Sequence, residues 1–117
     1  MASEKTFLSK LGSTRAGPRS RIWLEGKRLL DHGFAHHAFV RRQWSEGKLV
    51  LTLGTAAEYA ELPREERTTV AGTAARPIID IVGQQVRDTF GSVGTCVQVT
   101  YRAGRITITA TTATKAN

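Results

Sequence analysis

Residues 40–52 and 97–109 each alternate apolar and polar side chains around a glycine, Gly47 in the first stretch and Gly104 in the second. A period of two is typical of strands that have one buried face. In both stretches an aromatic residue, two turn residues, glycine and a basic residue precede an aliphatic–x–aliphatic–threonine sequence. We therefore predict two β-hairpins in which the glycine adopts a left-handed turn conformation.

A strand and a short helix are predicted upstream of the first hairpin. Residues 22–24 are apolar, as expected of a strand, and lead into an amphipathic segment at 26–34. Leu30 and Phe34 stand four residues apart in this segment, and Gly33 is predicted to end the helix.

The same order of elements recurs in the second half of the chain. A predicted strand at 78–81 leads into a predicted helix at 83–90, and Gly91 follows it. Val86 and Phe90 repeat the four-residue spacing of the first half. The order strand, helix, hairpin thus occurs twice, offset by about 56 residues, which favours a duplicated unit. Two unrelated hairpins that share these generic features are the alternative.

These elements predict a single domain with a mainly β fold and short helices, in the α+β class. The polar, basic N-terminal stretch contains Phe7, Leu8 and Leu11, which could serve as a short apolar anchor. The predicted organisation is a flexible basic arm at residues 1–19, a single domain at 20–110 and a disordered tail at 111–117. The domain consists of two repeats, 20–53 and 77–109, joined by an acidic linker at 54–76.

Charge adds a class of partner to this prediction. The 117 residues include 17 Lys and Arg against 10 Asp and Glu, which gives a formal net charge of +7. Such a balance concentrates polyanions near the protein and favours nucleic acid over neutral ligands. The alternative is that the charge only keeps the protein in solution.

Residues 21–30, followed by Gly33-Phe34, and the hairpin pattern x-Gly-[Lys/Arg]-[Leu/Ile]-x-[Leu/Ile] resemble the swapped-hairpin family of AbrB-type regulators, MazE antitoxins and SymE-like proteins. The resemblance implies a swapped-hairpin or cradle-loop-like barrel. It also implies binding of double-stranded DNA by basic residues on the first strand and its adjoining loops. By position, these residues are Arg19, Arg21, Lys27 and Arg28 in the first half of the chain and Arg76 in the second.

Two features depart from the family pattern. His37-Ala38 and Gly94-Thr95 stand where the family often places Gly-Asp. Members usually carry one copy per chain and dimerise, whereas this chain carries two. The two copies could form an intramolecular pseudo-dimeric barrel or a larger assembly. A homodimer is therefore one of the alternatives.

Further basic residues extend the candidate interface. Arg15 joins Arg19 and Arg21 along an extended segment suited to following phosphates; a solvated tail is the alternative. Arg41 and Arg42 are adjacent and must point to opposite faces of their strand. The one facing solvent is a phosphate-contact candidate, and the other is expected to pair with a carboxylate such as Glu25 or Glu46. The predicted nucleic-acid-binding residues are therefore Arg15, Arg19, Arg21, Lys27, Arg28, Arg41, Arg42 and Arg76.

No catalytic motif is recognisable, so a non-enzymatic protein without cofactor is predicted. His32, His36 and His37 could ligate a metal only if the helix continued through Gly33, so no metal site is predicted. Asp80 is expected on the polar face of its strand. A SymE-like RNA-cleaving toxin is an alternative, with the histidines as the candidate general base.

The predicted function is that of a DNA-binding transcriptional regulator of prokaryotic or mobile-element origin, with double-stranded DNA as partner and RNA left open. Neither a signal-peptide pattern nor a membrane-spanning run is present, so a cytoplasmic, nucleoid-associated location is expected. The acidic segment Glu58–Glu66 repels phosphate. It could instead dock a protein partner, as in an antitoxin or a phage inhibitor.

Overall fold

The computed structural model describes residues 4–14 and 17–111, which form ten strands and three short helices. The strands are β1 (Lys5–Lys10), β2 (Gly12–Thr14), β3 (Gly17–Glu25), β4 (Phe39–Ser45), β5 (Lys48–Gly54), β6 (Arg67–Thr69), β7 (Ala71–Gly72), β8 (Pro77–Val82), β9 (Cys96–Arg102) and β10 (Arg105–Ala110). The helices are α1 (Lys27–Asp31), α2 (Ala56–Ala60) and α3 (Gln84–Phe90), with a 3-10 turn at Arg64–Glu66. The predicted mainly β composition with short helices is confirmed. Within these residues no helix is both long and apolar enough to cross a membrane.

Both predicted hairpins are present, as β4–β5 and β9–β10. Gly47 and Gly104 occupy their turns with φ of 65° and 72°, the left-handed conformation that glycine adopts without steric cost. Alternate residues of the hairpins point inward, so that Leu49 and Leu51 of β5 and Ile106 and Ile108 of β10 are fully buried. The alternation read from the sequence therefore corresponds to burial on one face.

The strands form two antiparallel sheets, a six-stranded sheet in the order β1-β9-β10-β5-β4-β6 and a four-stranded sheet in the order β2-β3-β8-β7. The predicted barrel is not closed, because each sheet ends in strands that pair on one side only among the described residues. The chain passes between the sheets at Leu11 and Val70, which are both buried. Each of these residues makes two backbone hydrogen bonds to a loop that precedes a hairpin. The strands therefore change sheet at these two corners and do not curl into one closed sheet.

Strand pairings in the two halves of the chain match each other. Trp23 pairs with Asp80 in the four-stranded sheet, and Val50 pairs with Thr107 in the six-stranded sheet; the separation along the chain is the same in both pairs. Backbone hydrogen bonds repeat in the same way. The Leu53 N–H donates to the Gly104 carbonyl at 3.0 Å, and the Ala110 N–H donates to the Gly47 carbonyl at 2.9 Å. The pairing is thus symmetric about the Trp23–Asp80 and Val50–Thr107 positions. We call two residues equivalent when they are separated along the chain by the same number of residues as Trp23 and Asp80.

The helix α1 differs by one residue from the predicted register. Leu29 is completely buried, whereas Leu30 is 38% exposed. Phe34 is buried. The helix starts at Lys27, directly after Gly26, and this start turns Leu29 toward β3 and β8. Leu29, not Leu30, is therefore equivalent to the buried Val86.

The prediction of a flexible arm at 1–19 is wrong for the part of it that is described. β1 pairs with β9 along its whole length, and β2 pairs with β3. Leu11 is buried and Phe7 packs against the core, whereas Leu8 is 62% exposed. An unpaired edge of β9 would leave backbone donors and acceptors without partners, and β1 supplies those partners.

The predicted linker 54–76 contains two strands, β6 and β7, that correspond to β1 and β2. β6 pairs with β4 as β1 pairs with β9, and β7 pairs with β8 as β2 pairs with β3. Each matching set of strands therefore starts earlier in the chain than the predicted repeats at 20 and 77. Of the predicted tail, Thr111 is described and 112–117 lie outside the described residues.

Candidate nucleic-acid interface

Alternate residues of β3 and β8 form the outer surface of the four-stranded sheet, which we call the β3–β8 face. Ile22 and Leu24 of β3 point into the core, whereas Arg19, Arg21 and Trp23 point outward. On β8 the outward residues include Asp80, as predicted for the polar side of this strand. Arg76 precedes β8 and its guanidinium lies 3.6 Å from Glu25 of the same face. The face thus combines three arginines with Glu25 and Asp80 around one tryptophan.

Arg19 and Arg76 occupy equivalent positions at opposite ends of this face. Each lies four residues before a member of the central Trp23–Asp80 pair, on antiparallel strands. At about 3.3 Å per strand residue, the two positions are roughly 26 Å apart. Arg19 is exposed and makes no ion pair with any described residue. The Arg76 side chain is 74% exposed, and its separation from Glu25 makes that pair a weak one.

Arg21 is held by Asp80 in a bidentate ion pair. Its Nε donates to Oδ1 at 2.8 Å and its Nη2 donates to Oδ2 at 2.9 Å, and these hydrogen bonds raise the pKa of Arg21. The guanidinium also lies 4.8 Å from the centre of the Trp23 ring. Two of the five N–H groups are used by Asp80, so Arg21 is oriented by its neighbours and retains donors for a further acceptor.

Lys27 and Arg28 lie on α1, at the end of the face next to Glu25. Lys27 is exposed, and no described carboxylate pairs with it. The Arg28 guanidinium lies 3.5 Å from the centre of the Phe7 ring. Burial raises the pKa of Tyr101, and the nearby Arg28 charge opposes this shift. The structure therefore brings three of the eight predicted residues, Arg19, Arg21 and Arg76, to the β3–β8 face and places Lys27 and Arg28 on the helix that follows β3; Arg15 lies outside the described residues.

Arg41 and Arg42 lie elsewhere, on β4 of the six-stranded sheet. Arg41 points outward and pairs with Glu66 at 3.0 Å. Arg42 points inward, where burial lowers its pKa. Its Nε has no hydrogen-bond partner among the described residues, and its Nη2 lies 3.5 Å from the Arg64 carbonyl oxygen. The opposite orientations were predicted, but the expected pairing with Glu25 or Glu46 is wrong, because β6 and the 3-10 turn cover this strand.

Two basic residues to which the sequence alone assigned no role form a second matching pair. Lys48 and Arg105 each follow the turn glycine of a hairpin, at equivalent positions of the chain. Both are exposed, on the outer surface of the six-stranded sheet, and neither has an ion-pair partner in the described part of the chain. The signal for them was the basic residue that follows glycine in both hairpin motifs.

The acidic segment lies against the outer surface of the six-stranded sheet. Glu58 accepts from the Thr55 backbone N–H at 2.8 Å and caps α2, and Glu66 pairs with Arg41. A cavity of about 410 Å³, lined by Phe39 and Tyr59 among others, separates α2 from the first hairpin. The acidic charge is thus kept off the β3–β8 face.

The three histidines do not come together. His36 and His37 have ring centres 3.6 Å apart, whereas His32 is buried with its Nδ1 2.7 Å from the Arg28 carbonyl oxygen. Over the residues that the structure describes, no group of three His, Cys, Asp or Glu side chains could hold a metal ion.

Comparisons of this chain with protein-family models, with curated proteins and with solved structures found no match.

Proposed function

We propose that this protein binds double-stranded DNA through the β3–β8 face and acts as a non-enzymatic regulator of transcription, with two swapped-hairpin units in one chain. The observation that carries the proposal is the placement of Arg19 and Arg76, exposed at equivalent positions roughly 26 Å apart. The two strands of a DNA duplex are themselves related by two-fold symmetry. A matched pair of arginines can therefore make the same phosphate contact on each strand.

The charge of the face supports an anionic ligand. On the face Arg19, Arg21 and Arg76 stand against two carboxylates, Glu25 and Asp80, and the adjoining helix α1 adds Lys27 and Arg28 against Asp31. Guanidinium groups bind phosphate oxygens in a bidentate manner, which gives orientation as well as affinity. Because both matched positions belong to one chain, a single copy of the protein can supply the two-fold contact.

Binding to a duplex of about 20 base pairs should weaken steeply with salt. Each neutralised phosphate contributes roughly −0.9 to the slope of log K against log salt concentration, so four contacts predict a slope of about −4. Affinity should then fall on the order of 10²-fold between 50 and 200 mM salt. Fluorescence anisotropy of a labelled duplex measures this. Undetectable binding at 50 mM salt, or a slope near zero, would contradict the proposal.

Replacing Asp80 with asparagine should strengthen duplex binding. The change removes a negative charge from the centre of the face and releases Arg21 from its bidentate partner. We expect an increase in affinity of about fivefold, close to 1 kcal/mol. The matched control is Glu61→Gln, which makes the same change in net charge in the acidic segment and should alter affinity by less than about twofold. Equal gains in the two variants would show that net charge, not the β3–β8 face, determines binding.

A further inference from the structure

A small cleft opens beside the β3–β8 face, between β1, β3 and α1. Its volume is about 210 Å³, and Phe7, Trp23 and Tyr101 are among the residues that line it. Glu25 and Arg28 add an acceptor and a donor at the same place. An aromatic cleft with two polar groups of opposite character suits a flat ring that carries both hydrogen-bond donors and acceptors on its edge.

Trp23 is the main exposed ring of this cleft and its orientation is fixed. The side chain is 42% exposed although it lies within a strand. Its Nε1–H donates to Glu25 Oε1 at 2.7 Å, and the Arg21 guanidinium lies over the ring. An indole held in this way is preorganised to stack, because little side-chain freedom remains to be lost on binding.

Among the described residues, the other half of the chain offers no chemical counterpart of this cleft. The residues equivalent to Trp23, Glu25 and Arg28 are Asp80, Val82 and Gln85. None of these three offers a ring for stacking. The matched arginines are thus symmetric about the face, whereas the aromatic group is present on one side of it.

We propose that this cleft binds one unpaired nucleobase, stacked on Trp23 with its edge toward Glu25 and Arg28. The inference rests on the proposed function, since the neighbouring cations hold the phosphates on either side of the base. Stacking of a base on an aromatic side chain contributes substantially to affinity and tolerates different bases, because every base has a π-face. The protein should therefore prefer a duplex that contains an unpaired base over a fully paired one.

The test uses two DNA duplexes of the same length, one fully paired and one with a single unpaired base, and the corresponding pair made of RNA. Trp23 and Trp44 are the two tryptophans of the chain, so Trp44→Phe leaves Trp23 as the only indole. In this variant we expect the duplex with the unpaired base to quench the emission of Trp23. We also expect that duplex to bind about tenfold more tightly than the fully paired one. In the otherwise unaltered protein, Trp23→Leu should reduce the ratio of the two affinities to about one.

The outcomes separate this inference from the proposed function. Binding of paired DNA with no quenching and an affinity ratio of one overturns the base-binding cleft and leaves the proposed function intact. If the unaltered protein binds none of the duplexes, both the base-binding cleft and the proposed function are overturned. A preference for the unpaired base that persists in Trp23→Leu overturns the role of Trp23. A preference seen with RNA alone supports the cleft and contradicts DNA as the ligand.

Discussion

Replacing Arg19 and Arg76 together with alanine is expected to weaken duplex DNA binding about 30-fold. Each exposed guanidinium that contacts a phosphate should contribute about 1 kcal/mol, below the usual range for charge-assisted hydrogen bonds because solvent screens the site. The two positions are roughly 26 Å apart, so their effects should add. Because they are equivalent, each single substitution should reduce affinity by about fivefold. The double variant should also lower the magnitude of the salt slope by about two.

The matched control is the double variant Lys48→Ala with Arg105→Ala. It removes the same net charge from another pair of equivalent positions, on the outer surface of the six-stranded sheet. We expect its affinity for the same duplex, measured by fluorescence anisotropy at fixed salt, to fall by less than about threefold. If this control loses binding while the Arg19 and Arg76 variant retains it, the six-stranded sheet carries the interface and the assignment to the β3–β8 face is wrong.

Leu29→Ala is expected to destabilise the protein by about 3–4 kcal/mol, within the range measured for truncation of fully buried leucines. The neighbouring Leu30→Ala should cost less than about 1 kcal/mol, because Leu30 is on the exposed side of α1 and leaves no enclosed cavity. For a chain of this size, the first change should lower Tm by roughly 10–20 °C and the second by a few degrees. Urea unfolding followed by circular dichroism measures both free energies.

The two leucines are adjacent and chemically identical, so the comparison isolates burial. Similar losses of stability in the two variants would show that α1 is not packed as described. A larger loss for Leu30→Ala would restore the register in which Leu30, not Leu29, matches Val86. The result therefore also tests whether the separation that relates the strand pairings of the two halves holds for α1, where it makes Leu29 equivalent to Val86.

The position of Asp80 shows how strongly tertiary pairing determines the electrostatics of the face. Arg21 and Asp80 are far apart in the chain, and the antiparallel pairing of β3 with β8 brings their side chains together. The two side chains are 28% and 31% exposed, so solvent screens the pair and its contribution to stability is small. Its larger effect is to orient Arg21 against Trp23. A substitution at Asp80 should thus change the affinity for DNA more than the stability of the protein.

Hairpins, the two strands that precede the helices and the turn glycines could all be read from the sequence, because these features depend on residues close together in the chain. Alternation of side chains shows which face of a strand is buried, and a glycine with positive φ marks where a hairpin turns. The start of α1 was harder to place. One residue of error exchanged Leu29 for Leu30, since adjacent leucines satisfy the helical period equally well.

Only the tertiary structure decided which strands pair and which basic residues share a surface. β1 carries no local sign that it will pair with β9, because that pairing depends on an open sheet edge formed by residues distant in the chain. For the same reason, Arg19 and Arg76 lie on one face while Arg41 and Arg42 lie on the other sheet. Local sequence determines whether a side chain points inward or outward, and the order of strands determines what it lies beside.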